Sequence, residues 1–135
     1  MQVIFSLEEI NQVAEKILSE NPNKVILFNG EMGVGKTTLI KSLAKKLGVF
    51  NATSSPTFSL VNEYQLNDNQ YVYHFDMYRL KTETEALDFG IDDYLYSSNW
   101  CFIEWPDKIP NLIPPKHTKI EIKLLPNGKR ELNMT

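Results

Sequence analysis

Residues 30–37 read GEMGVGKT, which matches the pattern G-x-x-x-x-G-K-[ST] and is the most informative segment of the sequence. Shortly before it, Val25 to Phe28 is apolar at every position, as expected of a strand buried on both faces of a sheet. After it, apolar residues recur at helical spacing as far as Leu47, and Gly48 is a typical helix stop. A loop between such a strand and helix points backbone N–H groups at one anionic group. The sequence therefore predicts a phosphate-binding loop at residues 30–37.

The fixed positions of this loop each have a physical role. Glycine permits close approaches that a Cβ would block, so that amides can surround a β-phosphate. Lys36 brings a cation to the β- and γ-phosphates, and the Thr37 hydroxyl offers an oxygen ligand to Mg²⁺. Guanine-specific enzymes usually carry N-K-x-D, and residues 23–26 read NKVI, so ATP is favoured over GTP. The residues predicted to contact the nucleotide in and beside this loop are Glu31, Met32, Gly33, Val34, Gly35, Lys36, Thr37 and Thr38.

Two carboxylates follow predicted strands and are candidates for the metal side of the site. Asp76 ends the run Tyr71 to Phe75, and Glu104 ends the run Trp100 to Ile103. A phosphate loop needs a carboxylate near its metal, commonly at the C-terminal end of a neighbouring strand. Either residue could hold Mg²⁺, directly or through water, while the other orients the attacking water, and the sequence leaves this assignment open. The predicted metal ligands are Thr37, Asp76 and Glu104, and the predicted catalytic residues are Lys36, Asp76 and Glu104.

Three further polar residues are candidates for roles around this site. Thr57, in a loop, could contact the γ-phosphate or the metal as switch threonines do. Arg79 could reach phosphate as an internal cationic finger or could pair with an acid. His74 lies two residues before Asp76 in a predicted strand, so the two share a face, and we expect His74 to make a structural hydrogen bond.

The remaining pattern predicts a mixed sheet with helices packed on it, in the α/β class. At 135 residues the chain fits one hydrophobic core, so we predict a single P-loop domain over residues 1–135. Further predicted elements are a helix capped by Ser6 and Glu9, a loop from Asn51 to Pro56, a hairpin of Phe58 to Gln65 and Gln70 to Phe75, a helix capped by Thr82 and Glu85 that ends near Gly90, a half-exposed strand at Ile120 to Leu124, and a short last strand.

The composition of the chain argues against several kinds of partner and site. A formal net charge of -3 argues against non-specific binding to nucleic acid through a broad positive field. Cys101 is the single cysteine, so neither an internal disulfide nor a thiolate metal cluster can form, and a reducing cytoplasm is expected. No apolar run approaches membrane-spanning length, and no membrane partner is predicted.

The chain resembles the bacterial TsaE family, formerly YjeE, the ATPase required for making threonylcarbamoyladenosine in tRNA. Four blocks carry the resemblance, in the family's order and spacing: GEMGVGKTTL (30–39), SPTFSLVNEY (55–64), YHFDMYRL (73–80) and FIEWPDK (102–108). The resemblance implies that Lys36 and Thr37 bind phosphate and magnesium and that Thr57 lies in a switch-like segment. It also implies that Asp76 is a magnesium-side carboxylate, that Glu104 serves the metal or the catalytic water, and that Trp105 lies close to the nucleotide.

By the same resemblance, the protein acts with the partners TsaD and TsaB, and its ATP cycle resets that transferase complex. The tRNA is then involved only indirectly, since TsaD modifies it. We therefore predict a slow, partner-stimulated ATPase. Two alternatives stay open: a small-molecule kinase, which needs an acceptor pocket and normally a lid, and a nucleotide-dependent binding module with negligible hydrolysis. No arginine-rich lid is evident in the sequence.

Overall fold

The computed structural model describes residues 1–49, 51–52, 60–66 and 69–135. Within these residues eight strands form one sheet that carries helices on both faces. The strands are β1 (Gln2–Phe5), β2 (Val25–Asn29), β3 (Asn51–Ala52), β4 (Val61–Gln65), β5 (Tyr71–Asp76), β6 (Trp100–Glu104), β7 (Thr118–Leu124) and β8 (Arg130–Met134). The helices are α1 (Ile10–Ser19), α2 (Lys36–Leu47), α3 (Glu83–Asp88) and α4 (Ile91–Leu95), with 3-10 turns at Leu7–Glu9 and Pro106–Lys108.

The sheet is mixed, as the sequence predicts. Across the sheet the strand order is β1-β8-β7-β2-β6-β5-β4-β3. The four central strands β7, β2, β6 and β5 run parallel, and antiparallel pairs extend the sheet at both sides. The carboxyl ends of parallel strands meet at one edge of a sheet, where α/β proteins bind ligands. The segments that follow β2, β5 and β6 are therefore brought together.

Each face of the sheet forms a separate hydrophobic cluster with the helices that pack on it. Phe28 and Phe102 pack with α1 and α2 on one face, whereas Leu27 and Ile103 pack with α3 and α4 on the other. Because successive side chains of a strand alternate between faces, Glu104 shares the face of Phe102 and so lies on the side of α2. This alternation aims Glu104 toward the phosphate loop.

The predicted helix signals are confirmed. The backbone N–H of Ser6 donates to Glu9 Oε1 at 2.9 Å, and that of Thr82 donates to Glu85 Oε1 at 3.1 Å. Helix α2 ends at Gly48, whose φ of 104° is the left-handed conformation that glycine adopts without strain. No helix in the described part of the chain has the length and apolar character needed to cross a membrane.

The structure corrects one local prediction and adds two elements that were not predicted. Asn51 and Ala52, predicted as loop, pair with β4 as a short strand, while residues 53–56 of that predicted loop lie outside the described residues. The segment from Gln2 to Phe5 was not predicted as a strand, yet it pairs with β8 from the far end of the chain. The prediction that the helix beginning at Thr82 ends near Gly90 is confirmed, but a second short helix, α4, follows Gly90 directly and was not predicted. In each case a tertiary contact decided a segment whose local pattern was weak.

Candidate functional site

The loop between β2 and α2 has a backbone path that requires glycine. Gly30 has a φ of 155°, and a Cβ built on it would lie 2.7 Å from the carbonyl oxygen of Ile122 in β7. Gly35, just before α2, has a φ of 111°. A side chain at either position would be strained, and at Gly30 it would also collide with main-chain atoms that cannot swing away. The loop therefore lies close against the end of β7.

The N-terminus of α2 supplies unpaired amides to this loop. Leu39 donates its backbone N–H to the Gly35 carbonyl at 2.9 Å, which is the first α-helical bond of α2. The amides that precede Leu39 in the helix consequently have no acceptor within it. A cavity of about 380 Å³ lies here, and its lining includes Gly33, Gly35, Thr37 and Thr38. Amides and a helix N-terminus at the wall of a cavity are suited to holding an anion.

Both predicted carboxylates reach the same cavity. Asp76 and Glu104 are register partners on the neighbouring parallel strands β5 and β6, and both line the cavity of the phosphate loop. They differ in their surroundings, because Asp76 is exposed and Glu104 is only 3% exposed. The Asp76 carboxylate accepts the backbone N–H of Tyr78 at 3.1 Å. The sequence thus placed the pair correctly beside the loop, whereas the difference in burial comes from the structure.

Glu104 is the centre of a hydrogen-bond network. The Thr37 hydroxyl lies 3.1 Å from Oε1 and 3.0 Å from Oε2 of Glu104, and His74 Nε2 lies 2.6 Å from Oε2. A hydrogen bond of His74, as expected from the sequence, is present, and its partner is on the adjacent strand. Burial raises the pKa of the Glu104 carboxyl, but the bond and charge of His74, the Thr37 bond and the Lys36 charge outweigh it and hold the pKa below its usual value. The carboxylate is therefore ionised at neutral pH.

Lys36 is folded against its own loop. Its Nζ donates to the Gly30 carbonyl at 2.5 Å and lies 3.8 Å from the centroid of the Trp105 ring. The residue is 5% exposed, so a cation here is largely withdrawn from water. Trp105 itself has a φ of 58° and packs on Tyr78 with ring centroids 5.1 Å apart. Trp105, which the family resemblance put near the nucleotide, thus contacts the loop lysine directly.

Electrostatics around Lys36 combine burial with negative charge. Burial lowers the pKa of the ammonium group, and the carboxylates of Glu104, Asp76 and Asp107 oppose the shift only in part. A buried cation next to ionised oxygens gains from a further anion that can bond to it directly. The phosphate of a nucleotide is such an anion.

The other predicted residues are distributed as follows. Glu31 and Met32 are exposed on the loop, and Thr38 is exposed in the first turn of α2. The side chain of Val34 is 4% exposed and belongs to the core, and its backbone N–H donates to the Glu31 carbonyl. Arg79 is exposed, and no ion pair joins it to an acid within the described ranges. Thr57 lies outside the described residues.

With this geometry established, comparison with known proteins identifies the family. Residues 4–132 match the family model described as threonylcarbamoyl adenosine biosynthesis protein TsaE. The chain belongs to the TsaE family. The family resemblance carried by the four sequence blocks is therefore confirmed.

Individual TsaE proteins and a solved structure agree with this assignment. The TsaE of Bacillus subtilis strain 168 is 36% identical over 115 residues, which cover 84% of this chain and 70% of that protein. The TsaE of Rickettsia bellii is 35% identical over 135 residues, covering 98% and 92%. The crystal structure of Bacillus subtilis YdiB superposes with a TM-score of 0.73 at 28% identity, covering 99% of this chain and 84% of that one. The P-loop nucleotide-binding fold predicted from the sequence is confirmed.

Two features of this TsaE-family site were not found from the sequence. Arg130, at the start of β8, donates from Nε to the Val34 carbonyl at 3.3 Å and so braces the loop from behind. A second cavity of about 640 Å³ adjoins Lys36 and Trp105 on the side of β7, where Glu121 is part of its lining. Both features join residues far apart in the chain, and no local sequence pattern signals such contacts.

Proposed function

We propose that this chain binds Mg²⁺-ATP in the cavity of the phosphate loop and hydrolyses it slowly to ADP and phosphate, in support of threonylcarbamoyladenosine formation in tRNA. One observation carries the proposal. Lys36, the Thr37 hydroxyl, the ionised Glu104 carboxylate and the free amides of α2 all converge on one cavity at the carboxyl edge of the parallel strands. Phosphoryl transfer needs little covalent chemistry from a protein, so such positioning and electrostatic groups are sufficient parts.

Phosphate binding follows from the present partners of Lys36. Its Nζ contacts a neutral carbonyl oxygen of Gly30 and the face of Trp105. Hydrogen bonds between an ammonium and an anionic oxygen are roughly twice as strong as bonds to neutral acceptors. A nucleotide phosphate would therefore replace these partners, and the amides of α2 would share its charge.

The donor set also fits magnesium. Thr37 and Glu104 already touch, and Asp76 lies beside Glu104 in register, so one hydroxyl and two carboxylates are available. Mg²⁺ prefers hard oxygen ligands and is usually held by one or two carboxylates together with substrate phosphates. When bound, the ion supplies positive charge to the phosphate oxygens. We assign Thr37 and Glu104 to the ion, and Asp76 either to the ion through water or to the attacking water.

The biological role follows from the family. The relatives of this chain bear the name tRNA threonylcarbamoyladenosine biosynthesis protein TsaE. We propose that the chain works in the cytoplasm with a complex of TsaD and TsaB, and that its ATP turnover resets that complex. tRNA is involved only indirectly. The slow intrinsic rate expected here reflects a site that a partner completes.

One observation favours a second candidate function. The cavity of about 640 Å³ shares Lys36 and Trp105 with the phosphate-loop cavity, and a small-molecule kinase would need an acceptor site in such a position. The assay that tests the ATPase also separates it from this alternative, because a kinase would transfer phosphate to an added metabolite.

The test measures phosphate release from ATP with and without TsaD and TsaB. Wild type should hydrolyse slowly and be stimulated by the partners, and Lys36→Ala should abolish hydrolysis in both conditions. Lys41→Ala is the matched control, because Lys41 is an exposed lysine of the same helix. Hydrolysis unchanged by Lys36→Ala would refute the mechanism. Transfer of phosphate to an added metabolite would favour the kinase, and ATP-dependent partner binding without phosphate release would leave only a binding module.

A further inference from the structure

His74 and Glu104 form a buried pair beneath the phosphate-loop cavity. Their side chains are 5% and 4% exposed, and the Nε2 to Oε2 distance is 2.6 Å. His74 lies on β5 two residues before Asp76, and Glu104 ends β6, so the contact joins the two strands that carry the candidate carboxylates. Glu104 lines the cavity, whereas His74 is not part of its lining. His74 therefore acts on the site only through Glu104.

The direction of this hydrogen bond can be assigned. A carboxylate that serves a metal ion is deprotonated and can only accept hydrogen bonds, so in the 2.6 Å contact His74 Nε2 is the donor. Nδ1 of the same ring is buried and has no hydrogen-bond partner within the described residues. The ring thus uses a single polar contact, and that contact is with Glu104.

This contact restricts the orientation of the carboxylate. The terminal torsion of a glutamate side chain is broad, and a carboxylate that lacks a fixed partner samples many orientations. His74 holds Oε2 from β5, and Thr37 holds the group from α2. The remaining acceptor positions of the carboxylate are thereby kept toward the cavity.

We propose that His74 is a positioning residue, which donates from Nε2 to Glu104 and fixes the carboxylate in the orientation in which it serves magnesium. The proposal rests on the proposed function, since it deepens the role of the same site. Hydrogen-bond partners of metal-binding carboxylates typically change metal affinity or activity by about 10- to 100-fold when they are removed. A histidine that merely filled the core would change stability without changing magnesium dependence.

The first test needs no variant of His74. The chain has two histidines, so a ¹⁵N spectrum of histidine-labelled protein contains two rings, and His117→Gln assigns the signals. His74 should carry a hydrogen on Nε2, whether its ring is neutral or charged. A neutral ring with its hydrogen on Nδ1 would overturn the proposal, because Nε2 could then not donate to Glu104.

The second test measures ADP binding by calorimetry, first in EDTA and then across a magnesium titration. His74→Leu fills a similar volume without a donor, and His74→Gln restores an amide donor at a comparable reach. In His74→Leu the magnesium concentration for half-maximal effect should rise by about 10- to 100-fold, and His74→Gln should recover most of this loss. His117→Gln is the control histidine substitution.

The outcomes separate this inference from the function on which it rests. Folded His74→Leu protein with wild-type magnesium dependence would overturn the positioning role and leave the ATPase proposal standing. Wild-type protein that binds no ADP in either buffer would overturn both. If both His74 variants fail to fold, the spectrum of the wild type still tests the proposal, because a ring without a hydrogen on Nε2 overturns it.

Discussion

Replacement of Gly30 by alanine gives a sharp test of the loop geometry, because Gly33 in the same loop provides a matched control. Both glycines have positive φ, 155° at Gly30 and 84° at Gly33. A Cβ on Gly30 would lie 2.7 Å from the Ile122 carbonyl oxygen, whereas a Cβ on Gly33 would meet nothing within 4 Å. Alanine at Gly33 therefore reports backbone strain alone, and alanine at Gly30 reports strain together with a collision.

The sizes of the two effects follow from these contacts. Left-handed backbone costs an alanine roughly 1–2 kcal/mol of folding free energy, which is the expected loss for Gly33→Ala. Crowding in a packed region adds about 1–3 kcal/mol, so Gly30→Ala should lose about 2–5 kcal/mol in total. For a chain of 135 residues the unfolding entropy is about 0.28 kcal/mol per kelvin. The Tm should fall by about 4–7 °C for Gly33→Ala and by about 7–18 °C for Gly30→Ala.

The assay is thermal unfolding followed by circular dichroism, without nucleotide and with EDTA present. These conditions keep changes in ligand binding out of the comparison. If Gly30→Ala is no less stable than Gly33→Ala, the close approach of the loop to β7 is wrong. A larger Tm loss in Gly33→Ala would contradict the reasoning in the same way.

Three further predictions concern separate groups. Burial raises the pKa of the Cys101 thiol to about 12, about three units above its ordinary value. At pH 8 the folded protein should therefore contain about a thousandfold less thiolate than the unfolded chain, and Cys101 should react with a disulfide reagent only after denaturation. Rapid stoichiometric labelling of the folded protein would contradict this prediction. Because the pKa of Glu104 is lower in the folded chain than its ordinary value of 4.5, its ionisation stabilises the fold above that pH and the contribution is lost as pH falls through the folded pKa. In EDTA, urea unfolding should therefore show Glu104→Gln losing stability relative to wild type at pH 7, with a difference that shrinks below about pH 4.5; a difference independent of pH would argue against an ionised carboxylate. Arg130→Gln removes the hydrogen bond to the Val34 carbonyl and should weaken ADP binding, measured by calorimetry, by about two- to tenfold. Lys129→Gln, a substitution of the exposed neighbouring residue, should leave ADP binding unchanged. Equal effects of the two substitutions would exclude a bracing role for Arg130.

Local patterns were sufficient to predict the loop and the carboxylates. The buried strand before Gly30, the helix after it and the ends of two more strands were each visible as short runs of apolar residues. Parallel strands that end in Asp76 and Glu104 have to meet near the loop, because α/β folds gather these ends at one edge. The capping signals at Ser6 and Thr82 were equally reliable, since a cap involves residues only three positions apart.

Long-range pairing could not be predicted in the same way. β1 pairs with β8, and its exposed Ile4 gives no alternating pattern that would distinguish a strand from an irregular N-terminal segment. The second cavity beside Lys36 and the bond from Arg130 to Val34 depend on where β7 and β8 lie in the sheet. Sequence periodicity reports which way a side chain faces, but not which strand becomes its neighbour.

The sequence was thus enough to predict that a strand, a glycine-rich turn and a helix follow one another with Lys36 and Thr37 at the start of the helix, and that Asp76 and Glu104 each end a strand. The tertiary structure alone decided that Glu104 is buried while Asp76 is exposed, and that His74 bonds to Glu104 although it is closer in sequence to Asp76. The physical reason is that burial and hydrogen-bond partners depend on strand order and register. Those are set by the packing of α2 and β5 around β6, between residues 30 or more positions apart in the sequence.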